Sequence, residues 1–390
     1  MTSSSIYPGN DPAGFFFMSS RGALSTSGCL QRITASVTTD QGGRNGLEQE
    51  LAQAFAKAQE AGIQEPLVVG AIPFNSNEPS ALLVPENSQW FPAEIAREQA
   101  QQGHVETTQQ PQLKEVPDQQ QFISMVDAAR TAMNNGEAEK VVLSRLLEAR
   151  LEQPLDHRAL LKRLIQQNKT GYQFDCPISA GRRLVGSSPE LLLRKQGHLF
   201  TSQPLAGSAR RHPDDSARDE QTAASLLKST KDLYEHQVVT RSMQEVLAPY
   251  CSELNVPASP ELINTPTLWH LATTITGKSS HNALSLASLL HPTPALSGFP
   301  HASAINLINA LEPFERDFFG GIVGWCNEQG DGEWAIVIRS AELGEQHMRL
   351  FAGAGIVPAS DPLSEWQETG TKLTTMLLAL GIGSASTETA

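Results

Sequence analysis

Ser188-Pro189-Glu190-Leu191-Leu192-Leu193-Arg194 follows closely on Arg183-Leu184-Val185-Gly186. Residues 183–194 read as two short apolar strands with no helix between them. A carboxylate, Glu190, interrupts the run where the strands meet. Burying a carboxylate is costly unless a partner pairs with it or it stays protonated. A carboxylic acid held protonated near neutral pH can act as a general acid. The plainer alternative is an edge-strand glutamate facing solvent.

The same strand-next-to-strand pattern recurs on both sides of that stretch. Upstream, Phe122, Met125, Val126, Ala129 and Met133 recur at helical spacing, and Asn134-Asn135-Gly136 supplies a stop. Lys140-Val141-Val142-Leu143-Ser144 then reads as a strand. Residues 157–167 read as a helix and 217–248 as a long helical region ending before Pro249. Shorter helices at 282–290 and 302–310 flank the rigid turn His291-Pro292-Thr293-Pro294. Residues 319–325, 334–340 and 348–353 read as strands, the first two joined by a polar Gly-rich turn at 327–332. A last helix covers 362–380. Strands following one another without a helix favour an α+β fold with largely antiparallel sheets over a doubly wound parallel sheet.

The 390 residues, 39% of them hydrophobic, can bury a large core, as one big domain or two fused ones. Residues 1–13 and 383–390 are small and polar and are expected to be flexible. Residues 93–121, rich in Gln and Glu, are expected to form a surface excursion between an N-terminal lobe and the rest of the chain. A net charge of −13 argues against non-specific binding of nucleic acid or anionic membranes. It does not exclude an anionic small substrate held in a locally positive cleft. No apolar run has membrane length, and Phe15-Phe16-Phe17-Met18 is far too short to span a bilayer. The first residues lack the basic start and apolar centre of a signal peptide. Cys29, Cys176, Cys251 and Cys326 are too scattered for a zinc site or a disulfide framework, which points to reduced thiols and a cytoplasmic protein.

Several charged residues stand where an ordinary fold would not put them. Lys140 heads an apolar strand. It either snorkels to water or is desolvated enough to become a base. Glu235 shares a helical stripe with Val239, Ser242 and Val246, out of place unless it binds a cation or partner. Glu365, Glu368 and Lys372 share one face of the last helix. A Glu-to-Lys pair four apart there is an ordinary surface salt bridge, whereas two helical glutamates presenting oxygen to a hard divalent ion is the sharper reading. Residues 204–211 and 352–356 read as Gly-rich turns whose N–H groups can approach an oxyanion, without dinucleotide-binding or Walker spacing. His270, between apolar neighbours, fits a core histidine as well as a ligand contact.

Taken together, these segments resemble the chorismate-utilising enzymes, which include the isochorismate, salicylate and anthranilate synthases. The carrying stretches are Lys140 through Arg145, Ser188 through Arg194, Pro204 through Arg211, Glu235-His236, Thr267 through Thr273, HPTPALSGFP from His291, FGGIVGW from Phe319, LFAGAGIVP from Leu350, and Glu365 through Lys372. The likeness runs from about Phe15 to Leu380 and is strongest to the isochorismate synthases of catecholate siderophore (enterobactin-type) biosynthesis. Gln237 departs from the acidic residue expected after Glu235-His236.

The resemblance implies one chorismate-binding domain over 14–382: two packed antiparallel sheets surrounded by helices, with the site in a cleft between them. It implies that water adds at C2 of chorismate while the C4 hydroxyl leaves. Lys140 would be the base that activates water and Glu190 the acid that protonates the departing hydroxyl. Glu235 and Glu368 would hold Mg²⁺ against the ring carboxylate, with Glu365 in support. Gly207, Ser208, His270, Ala295, Leu296, Phe319, Arg339, Gly353 and Lys372 would line the substrate pocket. Arg339 and the Gly353 backbone would grip the enolpyruvyl carboxylate. A monomer in transient contact with a downstream isochorismatase is the expected state. A salicylate synthase, which carries isochorismate on to salicylate and pyruvate, shares these motifs and stays open. So does an inert carboxylate-binding paralogue, although no catalytic position is missing. An anthranilate-type synthase fits less well, because Lys140 suits water rather than ammonia.

Overall fold

The structure is a computed structural model that describes residues 6–37, 45–102, 111–179 and 181–382. Two large antiparallel sheets form its centre. In the first, the strands run in the order Gly298–Phe299, Lys140–Arg150, His347–Ile356, Ser340–Leu343, Arg182–Ser188, Tyr172–Ser179, Phe15–Ser19, Gly22–Ser27 and Asn87–Phe91, with Leu113–Val116 also on Lys140–Arg150. In the second the order is Glu253–Asn255, Ile275–Lys278, Leu199–Gln203, Leu191–Gln196, Gly332–Ile336, Ile322–Asn327, Leu67–Ile72, Ala81–Val84 and Gln31–Ile33. The α+β class and its antiparallel sheets are therefore as the sequence pattern indicates.

Alternation along each strand explains the layering. Phe15, Phe17, Phe174 and Leu184 of the first sheet meet Val69, Val323, Trp325 and Ala335 of the second in one buried layer. The next residues along, Phe16, Met18 and Val185, point out of the first sheet onto the helices Ala93–Gln101, His157–Gln167 and Pro362–Ala379. The outer face of the second sheet, with Phe200, Ile322 and Trp334, is covered by Ala283–Leu290 and other helices.

The differences from the sequence reading have local causes. The helical region at 217–248 is two helices, Ser216–Leu226 and Thr230–Leu247, because Ser229 caps the second by accepting from Asp232 N at 3.3 Å. The strand expected at 334–340 is split. Gly332–Ile336 stays in the second sheet and Ser340–Leu343 joins the first. A small third sheet, Leu205–Arg210, Leu268–Ala272 and Glu261–Asn264, was not expected at all. The two Gly-rich stretches read as turns are strands, Leu205–Arg210 and the C-terminal half of His347–Ile356.

Of the segment expected to be flexible at the start, residues 1–5 lie outside the described residues, as do 383–390. From Ile6 the chain is tied down: Ile6 and Tyr7 are buried and Tyr7 Oη donates to Ala96 O at 2.6 Å. Within 93–121, Ala93, Ala96 and Ala100 of the first helix pack into a core, and 103–110 lie outside the described residues. All four cysteines are free thiols. Among the described residues no helix is long and apolar enough to cross a membrane.

Candidate active site

Twice the chain leaves one large sheet for the other, and it does so at one place. Arg182–Ser188 belongs to the first sheet and Leu191–Gln196 to the second, so Pro189 and Glu190 form a crossover. Gly332–Ile336 and Ser340–Leu343 cross back through 337–339. The crossovers are stitched together: Ser187 N donates to Arg339 O at 3.0 Å and Ile336 N to Glu190 O at 3.1 Å. Arg339 turns the second one in the left-handed region, at φ 52°. A carboxylate and a guanidinium are thereby held at the same level between the sheets.

Glu190 does not face solvent; it is 3% exposed. Burial pushes its carboxyl up to about 7, against the pull of the Leu205 N–H, which donates to Oε1 at 3.2 Å, and of Arg339, Lys140 and Lys372. Burial likewise lowers the Arg339 guanidinium, to about 10.

Lys140 begins its strand fully buried, so it does not snorkel. Desolvation lowers its pKa, opposed by Glu235, whose Oε1 lies 3.1 Å from Nζ, and by Glu190. Glu235 projects from Thr230–Leu247 onto the strand His347–Ile356. A side chain at Gly355 would collide with Glu235 Oε1 and come within 3.1 Å of Lys140 Cε. The glycine therefore makes the room in which the pair meets.

The last helix supplies the other carboxylates. Glu368 Oε1 lies 2.6 Å from Lys372 Nζ and accepts from Ser208 Oγ at 2.9 Å. The i, i+4 pair is thus real but faces inward. Burial works against the Glu368 carboxylate, yet Lys372, Lys231 and Ser208 outweigh it and hold the group below the usual range. Glu365 pairs with Lys231 at 2.8 Å, and burial together with Glu368 pushes it up, to about 7. Lys231 answers to Glu235, Glu365 and Glu368, which raise its pKa even though burial opposes them.

Glu190, Glu235, Glu368, Gly207, Ser208, His270, Ala295, Leu296, Phe319, Arg339, Gly353 and Lys372 line a single narrow cavity of about 50 Å³. Twelve positions from nine separate stretches of sequence converge on it. Lys140 and Glu365 stand behind the wall, reached through Glu235 and Lys231. His270 is buried and neutral, because desolvation and the charges of Arg339 and Lys372 lower its pKa, and its Nε2 has no hydrogen-bond partner. Lys372 Nζ also donates to Gly353 O at 2.8 Å.

The sequence reading missed Gly355, Lys231 and Arg316. Gly355 had a signal, a second glycine two residues after Gly353 on one strand face. Arg316 donates from Nη1 to Leu296 O and from Nη2 to Val142 O, both at 2.8 Å, and from Nε to Glu312 Oε2 at 2.8 Å. Glu312 Oε1 accepts from Ser144 N at 2.7 Å. This buried pair fixes two walls of the cavity from behind.

Among the described residues no three acidic, histidine or cysteine side chains form a metal cage by themselves. Mg²⁺ characteristically takes one or two protein carboxylates and completes its shell with water and substrate oxygens. Glu235 and Glu368 offer that oxygen-only pair to one cavity, and Glu365 Oε2, though buried, has no hydrogen-bond partner. The donor set fits a hard divalent ion.

Residues 83–381 match the family model described as chorismate binding enzyme. Over 378 residues, covering 95% of each chain, the sequence is 50% identical to the isochorismate synthase EntC of Escherichia coli. It is 40% identical over 386 residues to the isochorismate synthase DhbC of Bacillus subtilis, covering 95% of this chain and 94% of that one. The solved structure of a candidate 2,3-dihydroxybenzoate-specific isochorismate synthase of Bacillus anthracis superposes with a TM-score of 0.86 at 35% identity, covering 96% of this chain and 98% of that one.

Proposed function

The chain belongs to the family of chorismate-binding enzymes, and from that premise we infer that it is an isochorismate synthase of the siderophore type. It is an isomerase that converts chorismate to isochorismate. The residues divide that work as follows. The neutral amine of Lys140 accepts a proton from water as the water oxygen bonds to C2. The ring double bonds shift, and Glu190 passes its proton to the C4 hydroxyl, which departs as water. One water enters and one leaves, so the proton gained by Lys140 and the proton lost by Glu190 balance over a turnover. Hydroxide is a poor leaving group and water a weak nucleophile, so each group removes one obstacle; such assistance is worth ~10²–10⁴ in rate.

The observation that supports this reading best is the opposed titration of two buried groups, Glu190 on the cavity wall and Lys140 directly behind it. Glu190 is raised to about 7, and so is available as an acid, while Lys140 is lowered toward the neutral amine. Chorismate is a dianion and the chain carries a net charge of −13, so the site must be locally positive. Arg339 and Lys372 provide this for the enolpyruvyl carboxylate, with the Gly353 backbone beside them. Glu235 and Glu368 would hold Mg²⁺, with Glu365 in support, and the ion would supply charge neutralisation for the ring carboxylate of the substrate. Gly207 and Ser208 offer N–H and hydroxyl groups, and His270, Ala295, Leu296 and Phe319 shape the ring pocket. At about 50 Å³ the cavity holds a few waters, so a ligand of chorismate's size enters as wall side chains move aside. The protein works in the cytoplasm, a reading its free thiols support, as a monomer that meets an isochorismatase transiently.

The test is product identification. Incubation with chorismate and Mg²⁺, followed by chromatography and mass spectrometry, is expected to give isochorismate without pyruvate. Salicylate and pyruvate in equal amounts would make the chain a salicylate synthase, and unchanged chorismate would make it an inert binder.

A further inference from the structure

On the other side of the segment 291–296 from the catalytic cavity lies a larger cavity of about 580 Å³. That volume is ordinary for a small-molecule site. Its wall is mixed, with an apolar part formed by Phe74, Met243, Ile305, Ile308 and Phe314 beside the polar stretch Asn75 to Glu78 and the acids Glu312, Glu315 and Asp317. Three features restrict what it can take. First, His291 on its wall is buried, and its Nε2 lies 2.8 Å from Pro73 O. A carbonyl oxygen only accepts, so the ring proton sits on Nε2 and Nδ1 is a bare acceptor. Nδ1 has no hydrogen-bond partner, and neither has Oγ of the neighbouring wall residue Ser288. A buried acceptor without a donor is costly.

Second, Glu78 and Glu315 line the cavity and neither has an ion-pair partner among the described residues. Third, among the described residues that line the cavity no cation is left over to balance them. Arg316 is committed to Glu312, Leu296 O and Val142 O. Asp317 already takes up Arg182, at 3.2 Å, and Arg349, at 2.6 Å. Burial keeps His291 and His301 neutral. An anionic ligand is therefore disfavoured, and an N–H-bearing cation with an apolar body is favoured on all three counts.

The wall shared with the catalytic site gives the cavity a consequence. Arg316 and Glu312 line it, and they hold the carbonyls of Val142 and Leu296 and the amide of Ser144. Val142 and Leu296 line the catalytic cavity. We propose that the larger cavity is a second binding site, for a small molecule with an apolar body and a protonated amine, whose occupancy is transmitted to the catalytic cavity through Arg316.

Titration calorimetry of the Mg²⁺-loaded enzyme with phenethylamine and, separately, with 3-phenylpropionate tests it. Phenethylamine is expected to bind saturably, at least about tenfold more tightly than the carboxylate. The double variant Glu78→Gln, Glu315→Gln is expected to lose that preference while its turnover without amine matches the parent. In the parent, saturating phenethylamine should change kcat without competing with chorismate. Equal binding of both probes, no saturable binding of either, or binding that survives in the double variant and competes with chorismate would each overturn the proposal.

Discussion

Lys140 Nζ stands 3.1 Å from Glu235 Oε1, with the lysine fully buried and the glutamate 6% exposed. In the proposed mechanism the lysine is the base and the glutamate a metal-holding carboxylate, so the two tasks compete for one contact. An anionic neighbour favours the ammonium. Drawing Glu235 toward another cation frees the amine to stay neutral. Lys140→Met is expected to keep the fold, because a fully buried amine is replaced by an apolar chain of similar length and Glu235 still reaches the cavity. Turnover is expected to fall by ~10²–10⁴. Circular dichroism and steady-state kinetics check the two halves; near-normal kcat would remove Lys140 from the base's role.

The pH profile carries a signed expectation. In the proposed mechanism Glu190 acts in its protonated form, and burial pushes its carboxyl up to about 7. The alkaline limb of log kcat/KM, which reports the acid, should therefore fall as pH rises above about 7. Glu190→Gln should lower kcat/KM by ~10²–10⁴ and abolish that limb. Stability should move the other way. A carboxyl raised from 4.5 to about 7 stabilises the fold fully below the unfolded value and loses that contribution as pH rises through the folded one. At pH above about 7 the buried charge costs up to about 3 kcal/mol, which the amide does not incur. The variant should thus melt higher than the parent in alkaline buffer, with the gap narrowing below about pH 5. A gap that does not depend on pH would contradict the burial-driven shift.

Much of this site was legible because its chemistry sits in residue types that are wrong for their surroundings. Glu190 inside an apolar run and Glu235 on an apolar stripe stand out at once. The crossover that makes them a site was not legible: the apolar run Trp334 through Ile338 continues past the end of the first strand at Ile336, so nothing in it says that the chain changes sheets there. The third sheet hid behind Gly207, which reads as a turn until its neighbours pair. Phe15–Ser19 was visible as an apolar run, but its place between Tyr172–Ser179 and Gly22–Ser27 depends on pairing over more than a hundred residues, which no local pattern encodes.

Metal removal should separate the carboxylates. Chelation with EDTA is expected to abolish turnover and added Mg²⁺ to restore it. Glu235→Gln and Glu368→Gln should each raise the Mg²⁺ concentration for half-maximal activity by ~10-fold or more, since each removes an oxygen anion from a site built on two. Glu365→Gln, whose parent carboxyl is already raised to about 7 and paired with Lys231, should raise it less. Full activity in chelator would undo the assignment.

Gly355→Ala offers a small structural change with a local effect. Its methyl group would meet Glu235 Oε1, the far end of a flexible side chain, so the glutamate swings aside and the fold survives. The melting temperature should change little, whereas turnover and Mg²⁺ affinity should both fall. Unchanged Mg²⁺ affinity would mean that Glu235 does not hold the ion from this position.

Arg316 tests whether the walls of the cavity need a support behind them. Its guanidinium ties Val142 O to Leu296 O, each at 2.8 Å, while Glu312 secures Ser144 N at 2.7 Å. Val142 is two residues from Lys140, and Leu296 is on the opposite segment. Removing one partner of a buried pair typically costs ~3–5 kcal/mol, because the other charge is stranded. Arg316→Met alone should therefore be strongly destabilised. Arg316→Met with Glu312→Gln strands no charge and should recover much of the stability. The double variant still lacks the carbonyl ties, so its kcat should stay low while chorismate KM rises, and Arg316→Lys, which keeps the charge but not the fork, should rescue stability more than turnover. A double variant with parental kcat and KM would show that the walls hold themselves.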